Sequence, residues 1–137
     1  MNNIDIDGGG GVVQKRYTDE SHLNCNFGGI GLGNDGEEIT LTTIDSMNLE
    51  DVGYIHCDAQ GAENFIFSKG IDTIRKYRPV ILYEENVGNH LYNSVCKSYP
   101  NFEEESKFSI KKYCMEELGY SNHYDNFNGS SDTLLLP

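Results

Sequence analysis

Tyr54-Ile55-His56-Cys57-Asp58-Ala59-Gln60-Gly61-Ala62-Glu63, followed downstream by Pro79-Val80-Ile81-Leu82-Tyr83-Glu84, is the pair of segments that decides the fold of this chain. Each is an apolar run ending in an acid, and a Gly-containing turn with a helix start follows the first. Consecutive strands of a parallel α/β sheet read in this way. Such sheets place ligands at the carboxyl ends of their strands, which makes Asp58 and Glu84 markers of a candidate edge.

Between and around these runs the periodicity predicts further elements. Residues 63–68 should form a short helix closed by Gly70 at a C-terminal cap, and a second helix should span 71–77. Pro79 suits the first position of a strand, where a missing backbone donor is tolerated. Upstream, Ile39-Thr40-Leu41-Thr42-Thr43-Ile44 alternates apolar and hydroxyl residues, which predicts a strand that stops at Asp45. Residues 85–102 read as a long connection with a short helix over 90–95. Residues 103–118 read as the longest helix, with Ile110, Cys114 and Leu118 on one stripe and Gly119 ending it. Residues 120–127, the turn Asn128-Gly129-Ser130-Ser131 and residues 132–136 predict a closing antiparallel hairpin.

Residues 1–37 are rich in Gly, Asn and Asp, and the glycine run at 8–11 disfavours any regular interior. This lead-in should be mostly irregular, with one or two short strands, ahead of an α/β unit at 38–137. At 137 residues the chain is long enough for one domain and short for two.

The net charge of −12, from 22 acidic against 10 basic residues, argues against nucleic acid and anionic membrane as partners. The 4 cysteines never form a C-x-x-C pair, so neither a zinc site nor a disulfide framework is indicated. With no signal segment and no apolar run near the roughly 20 residues a membrane helix needs, the expected compartment is cytoplasmic. Asp5-Ile6-Asp7-Gly8 opens like a calcium loop, but Gly9 and Arg16 stand where further acids are required. Ser46, Ser68 and Ser94 lack the nucleophile elbow of a hydrolase.

Several ordered blocks carry a family resemblance. Asn26-Phe27-Gly28-Gly29, Leu41 to Asp45, Ile55 to Glu63, Gly70 to Glu84 and the tail from Asp132 to Pro137 together resemble the FkbM-type S-adenosylmethionine-dependent methyltransferases. The resemblance implies a Rossmann-like methyltransferase sheet, partial and mainly parallel with a C-terminal antiparallel hairpin, in which Asp58 ends the fourth strand and Glu84 the fifth. It further implies S-adenosylmethionine as cofactor and O-methylation of a hydroxyl on a small molecule or glycan.

The site residues it suggests are Asp58, His56 and Glu63 for catalysis, and Asp58, Gln60, Gly61 and Asp45 for the cofactor, with no metal. Asp58 would either position the sulfonium and the acceptor or cap the helix after it. Glu63, in the first helical turn, suits the helix dipole as well as it suits catalysis. His56 stands where the family usually has Lys, and is either a proton acceptor or a structural strand residue. Cys57, on the other face, reads as a small core hydrophobe.

The family's cofactor-holding first strand with its Gly-rich turn is not found upstream. Gly29-Ile30-Gly31-Leu32-Gly33 imitates that turn, yet Asn34-Asp35-Gly36-Glu37-Glu38 leads into a strand where a helix should begin. The chain therefore looks like the C-terminal half of such an enzyme. Three accounts follow: an upstream segment or completing chain restores activity, the half-domain is a binding or assembly module whose open edge forms a homo-oligomer or takes a partner, or it is a relic.

Overall fold

The computed structural model describes residues 10–14, 32 and 36–137. The Asn26-Phe27-Gly28-Gly29 block, the calcium-like residues 5–8, Cys25 and the glycine-alternating run apart from Leu32 lie outside them. Among the described residues six strands and five α-helices follow in chain order. They are β1 (Gly10–Gln14), β2 (Gly36–Thr40), β3 (Tyr54–Cys57), α1 (Glu63–Ser68), α2 (Ile71–Tyr77) and β4 (Val80–Glu84). The remainder are α3 (His90–Ser98), α4 (Glu103–Ser106), α5 (Ile110–Lys112), β5 (Asn122–Tyr124) and β6 (Asp132–Leu136).

The architecture is α/β, built on a four-stranded open sheet in the order β3-β4-β6-β5. β3 and β4 run parallel, joined by the α1–α2 crossover, with Ile55 opposite Ile81 and Cys57 opposite Tyr83. β6 is inserted between β4 and β5 and is antiparallel to both. The expectation of a mainly parallel sheet is therefore corrected: one pair is parallel and two are antiparallel. The reason is the C-terminal hairpin, whose returning strand takes the place beside β4 and leaves β5 at the edge.

The strand expected at 39–44 also shifts. It ends at Thr40 and belongs to a separate two-stranded antiparallel sheet with β1, in which Gly10 pairs with Thr40 and Gly11 with Ile39. The glycine run thus contributes its last two members to a strand. Beyond Thr40 the hydroxyls that looked strand-like close a turn. The Ser46 backbone N–H donates to Thr43 Oγ1 at 3.1 Å, and Thr43 N–H donates to Ser46 Oγ at 3.1 Å. Local bonds of this kind compete with a ladder and win here.

Alternation along β4 and β6 builds the core on one face of the sheet. Ile81, Tyr83, Thr133 and Leu135 are buried, and Ile81 stands directly opposite Leu135. Phe67 from α1, Ile74 from α2, and Ile110 and Cys114 from the C-terminal helical segment cover that face. Phe67 meets the edge of Tyr83 with ring centroids 5.6 Å apart, a favoured aromatic geometry. A second cluster of Ala62, Val95 and Tyr99, joined by Leu32, Phe65 and Phe102, fixes α3 against the start of α1.

Two helical expectations change. Gly70 does close α1, its N–H donating to the Phe67 carbonyl at 3.1 Å, but it is not left-handed, with φ −130, and it is at once the residue before α2. Its lack of a side chain serves packing, since a Cβ there would stand 2.9 Å from Ile44 Cδ1. The helix expected over 103–118 is broken between Ser106 and Ile110. Ser109 caps a new start by accepting from Lys112 N–H at 3.2 Å, and residues Tyr113–Glu117 form a π turn before Gly119, which adopts φ +62. The stripe still packs as its spacing indicated, with Ile110 and Cys114 fully buried. No helix among the described residues is long and apolar enough to cross a membrane.

Candidate functional site

The carboxyl ends of β3 and β4 lie side by side, and three acids gather there. Asp58 follows β3, Glu63 opens α1 and Glu84 closes β4. One carboxylate oxygen from each lies within 4.8 Å of the others. That is a spacing at which three acceptors can face one positive charge. Asp58 is exposed, Glu84 half-buried and Glu63 buried.

The turn between β3 and α1 is shaped by two left-handed residues in succession, Gln60 at φ 52 and Gly61 at φ +95. Left-handed backbone is rare for a residue with a side chain and costs of order 1–3 kcal/mol. Gln60 recovers part of this by donating its side-chain amide to Asp58 Oδ1 at 2.7 Å. Gly61 has no room for a side chain, because the backbone of Leu91 and Tyr92 at the start of α3 lies against it.

Glu63 folds back onto this turn. Its Oε1 accepts from Ala59 N–H at 2.8 Å, from Gly61 N–H at 3.3 Å and from Asn86 Nδ2 at 3.1 Å. Burial pushes its carboxyl above the ordinary value; its own backbone N–H, those of Ala59 and Gly61, and the Asn86 amide pull in the opposite direction. Glu63 thus organises the turn from the first position of α1. Burial, with Glu63 and Asp58 nearby, pushes the Cys57 thiol up to about 12, so it stays neutral as a core group.

Asn86 bridges the two acids that flank it. The same amide nitrogen donates to Glu84 Oε2 at 2.8 Å. Asn86 Oδ1 accepts from the side-chain amide of Asn89, and Asn89 Oδ1 in turn accepts from Leu91 N–H at 2.9 Å and Tyr92 N–H at 3.0 Å as the N-cap of α3. On the far side, Ser131 Oγ donates to Glu84 Oε1 at 3.0 Å, tying the tail hairpin to the site.

The structure thus brings together Asp58, Gln60, Gly61 and Glu63 from the sequence-derived set. It does not bring Asp45 to them. Asp45 lies beyond β2, outside the four-stranded sheet, and its two carboxylate oxygens accept from Thr73 N–H at 2.8 Å and Asp72 N–H at 3.2 Å. It supplies from a distance the cap that Gly70 lacks at the start of α2. His56 is exposed on the strand face opposite Cys57.

Glu84 was visible as a strand-end acid. Asn89 carried a helix-start signal in standing just before His90. Asn86 carried none, since its role depends on a pairing across 23 positions.

Compared with known proteins, the chain matches no family model, no curated protein and no solved structure.

Proposed function

We propose that this chain is methyltransferase-like, with S-adenosylmethionine as its ligand and a hydroxyl on a small molecule or sugar as the methyl acceptor. The observation that carries the reading is the convergence of Asp58, Glu63 and Glu84 at the carboxyl ends of a parallel strand pair, where open α/β sheets bind ligands. The antiparallel β6 also agrees with the last strand that the FkbM resemblance implies.

The donor set fits the cofactor's charge: three carboxylates complement a sulfonium cation. Asp58 and Gln60 would hold it, while Gly61, buried against the backbone of Leu91 and Tyr92, serves the packing of the turn. When bound, the cofactor supplies an electrophilic methyl carbon. The chain's own part is alignment of the acceptor oxygen and removal of its proton. Asp58, as the exposed member of the trio, is the residue for that proton. His56 is a second acceptor on the same strand. Glu63 holds the turn.

A test is the melting temperature in S-adenosylmethionine. A ligand that binds only the folded state raises it with concentration, whereas an unmoved transition at millimolar ligand speaks against the reading.

A second reading, a non-catalytic assembly module, is favoured by one observation. Among the described residues no strand pairs with the outer edge of β3, and Tyr54 at its start is 55% exposed. The edge from Tyr54 to Cys57 has neither acid, Lys nor Pro to guard it, which leaves it a template for another strand. Size-exclusion chromatography with light scattering separates the readings: a defined oligomer that ignores S-adenosylmethionine supports assembly.

A further inference from the structure

β3 ends the four-stranded sheet, and among the described residues no strand lies on its outer side. Which of its backbone groups are left over follows from one bond: Val80 N–H donates to the Gly53 carbonyl at 3.0 Å, so Gly53 faces β4. Successive residues of a strand turn their N–H and C=O groups to opposite sides. Ile55 and Cys57 therefore face β4 as Gly53 does, while Tyr54 and His56 turn both of their backbone groups outward. Both side chains are exposed, Tyr54 at 55%. Unpaired backbone of this kind is a ready template for an incoming strand.

Charge decides which strand fits. Residues 45–68 contain Asp45, Glu50, Asp51, Asp58 and Glu63 and no Lys or Arg. Glu50 and Asp51 stand just ahead of β3 and Asp58 just after it. All three are exposed, and none forms an ion pair among the described residues. The open edge is thus bracketed by uncompensated negative charge.

A second copy of the chain fits this edge badly. Its β3 would pair antiparallel about Ile55, with Tyr54 opposite His56 of the other copy. That places Glu50 and Asp51 of each copy at the Asp58 end of the other, so like charges meet at both ends. Each chain also carries a net charge of −12. A strand with Lys or Arg at its two ends meets opposite charge at both, and the exposed Tyr54 ring offers a face to one of its cations.

We propose that the outer edge of β3 receives a basic, extended segment of another polypeptide, which adds a strand through Tyr54 and His56 and is selected by Glu50, Asp51 and Asp58. In recognition by strand addition, backbone bonds supply affinity and side chains supply choice. The inference rests on the assembly reading above and narrows its occupant from any strand to a basic one.

The probe is a short labelled peptide of alternating Val and Thr with paired Lys at each end, followed by fluorescence anisotropy with the whole chain. One counterpart carries Glu in place of Lys, and another keeps the Lys but is N-methylated on every central amide. The Lys peptide should bind at least about tenfold more tightly than the Glu peptide and weaken in added salt. The N-methylated peptide should not bind. Amide exchange at Tyr54 and His56 should slow when the Lys peptide is present. His56→Pro removes an outward N–H without touching the bonds to β4 and should abolish binding. Glu50→Lys with Asp51→Asn alters only exposed side chains and should reduce the preference for Lys over Glu, which keeps the test open where the proline variant does not fold.

Equal binding of the Lys and Glu peptides, binding that survives N-methylation, or no binding by an edge whose Tyr54 and His56 amides exchange freely overturns the proposal. If the chain alone forms a defined oligomer with those two amides protected, the assembly reading stands and the basic partner is overturned. If they are protected in a monomer, the edge is already covered and the assembly reading fails with the proposal.

Discussion

Gly61 lies so close to Tyr92 that a Cβ on Gly61 would stand 2.5 Å from the Tyr92 backbone nitrogen. The turn carrying Asp58 and the start of α3 are therefore fitted to each other through bare backbone. Gly61→Ala adds a clash with backbone that has no rotamer to escape into, and does so at φ +95. It should destabilise the fold by on the order of 3 kcal/mol. A urea midpoint that falls by the corresponding amount with an unchanged slope agrees. A variant as stable as the wild type contradicts the packing of α3 on the turn.

Glu63 makes stability depend on pH in an unusual direction. Burial raises its folded value above the ordinary 4.5, so the folded protein holds this proton more tightly than the unfolded chain does. The stabilising contribution is complete below 4.5 and is lost as pH rises from there through the folded value. Glu63→Gln has no proton to lose. Chemical unfolding across pH 4 to 8 should show the variant gaining on the wild type as pH rises through that window. A constant difference at all pH values would refute the assignment.

Arg78 clamps the end of the π turn. Its guanidinium donates to the Leu118 carbonyl and, at 3.5 Å, to the Gly119 carbonyl, and it lies 5.2 Å from the centre of the Tyr120 ring. Tyr120 itself donates its hydroxyl to the Pro79 carbonyl at 2.6 Å. Arg78→Ala should cost about 2 kcal/mol, the range for a hydrogen bond from a charged donor, and Tyr120→Phe about 1 kcal/mol. Because the two side chains are in contact, the double variant should fall short of the sum. Thermal denaturation of the three variants checks both points, and strict additivity would argue against the shared clamp.

The parts of the fold that could be read in the sequence are those where local signals decide. The apolar run at 79–84 ending in an acid, the turn ahead of 132–136, and the glycine and acid punctuation around 58–63 placed β3, β4, β6 and α1 close to where they stand. What resisted reading depended on partners far along the chain. Asp45 looked like a strand-end acid because nothing local reveals that it caps α2, 27 and 28 residues away. The helix over 103–118 kept its apolar stripe but not its continuity, since the Ser109 cap restarts it. The sheet's direction followed from where β6 returns, a tertiary choice that no single strand encodes. At the site, Asp58, Gln60, Gly61 and Glu63 share one turn and were visible together. Asn86 sits in a loop without periodicity and acts only through residues brought to it by the fold.

The most direct test of the account is calorimetric titration of the purified chain with S-adenosylmethionine, repeated with Asp58→Ala. Asp58 is exposed and, among the described residues, its carboxylate is bonded to the Gln60 amide alone, so its removal should leave the fold intact. The account predicts micromolar binding that weakens at least about tenfold, or 1.4 kcal/mol, in the variant. A folded wild type that gives no heat, or a variant that binds as tightly as the wild type, would contradict it.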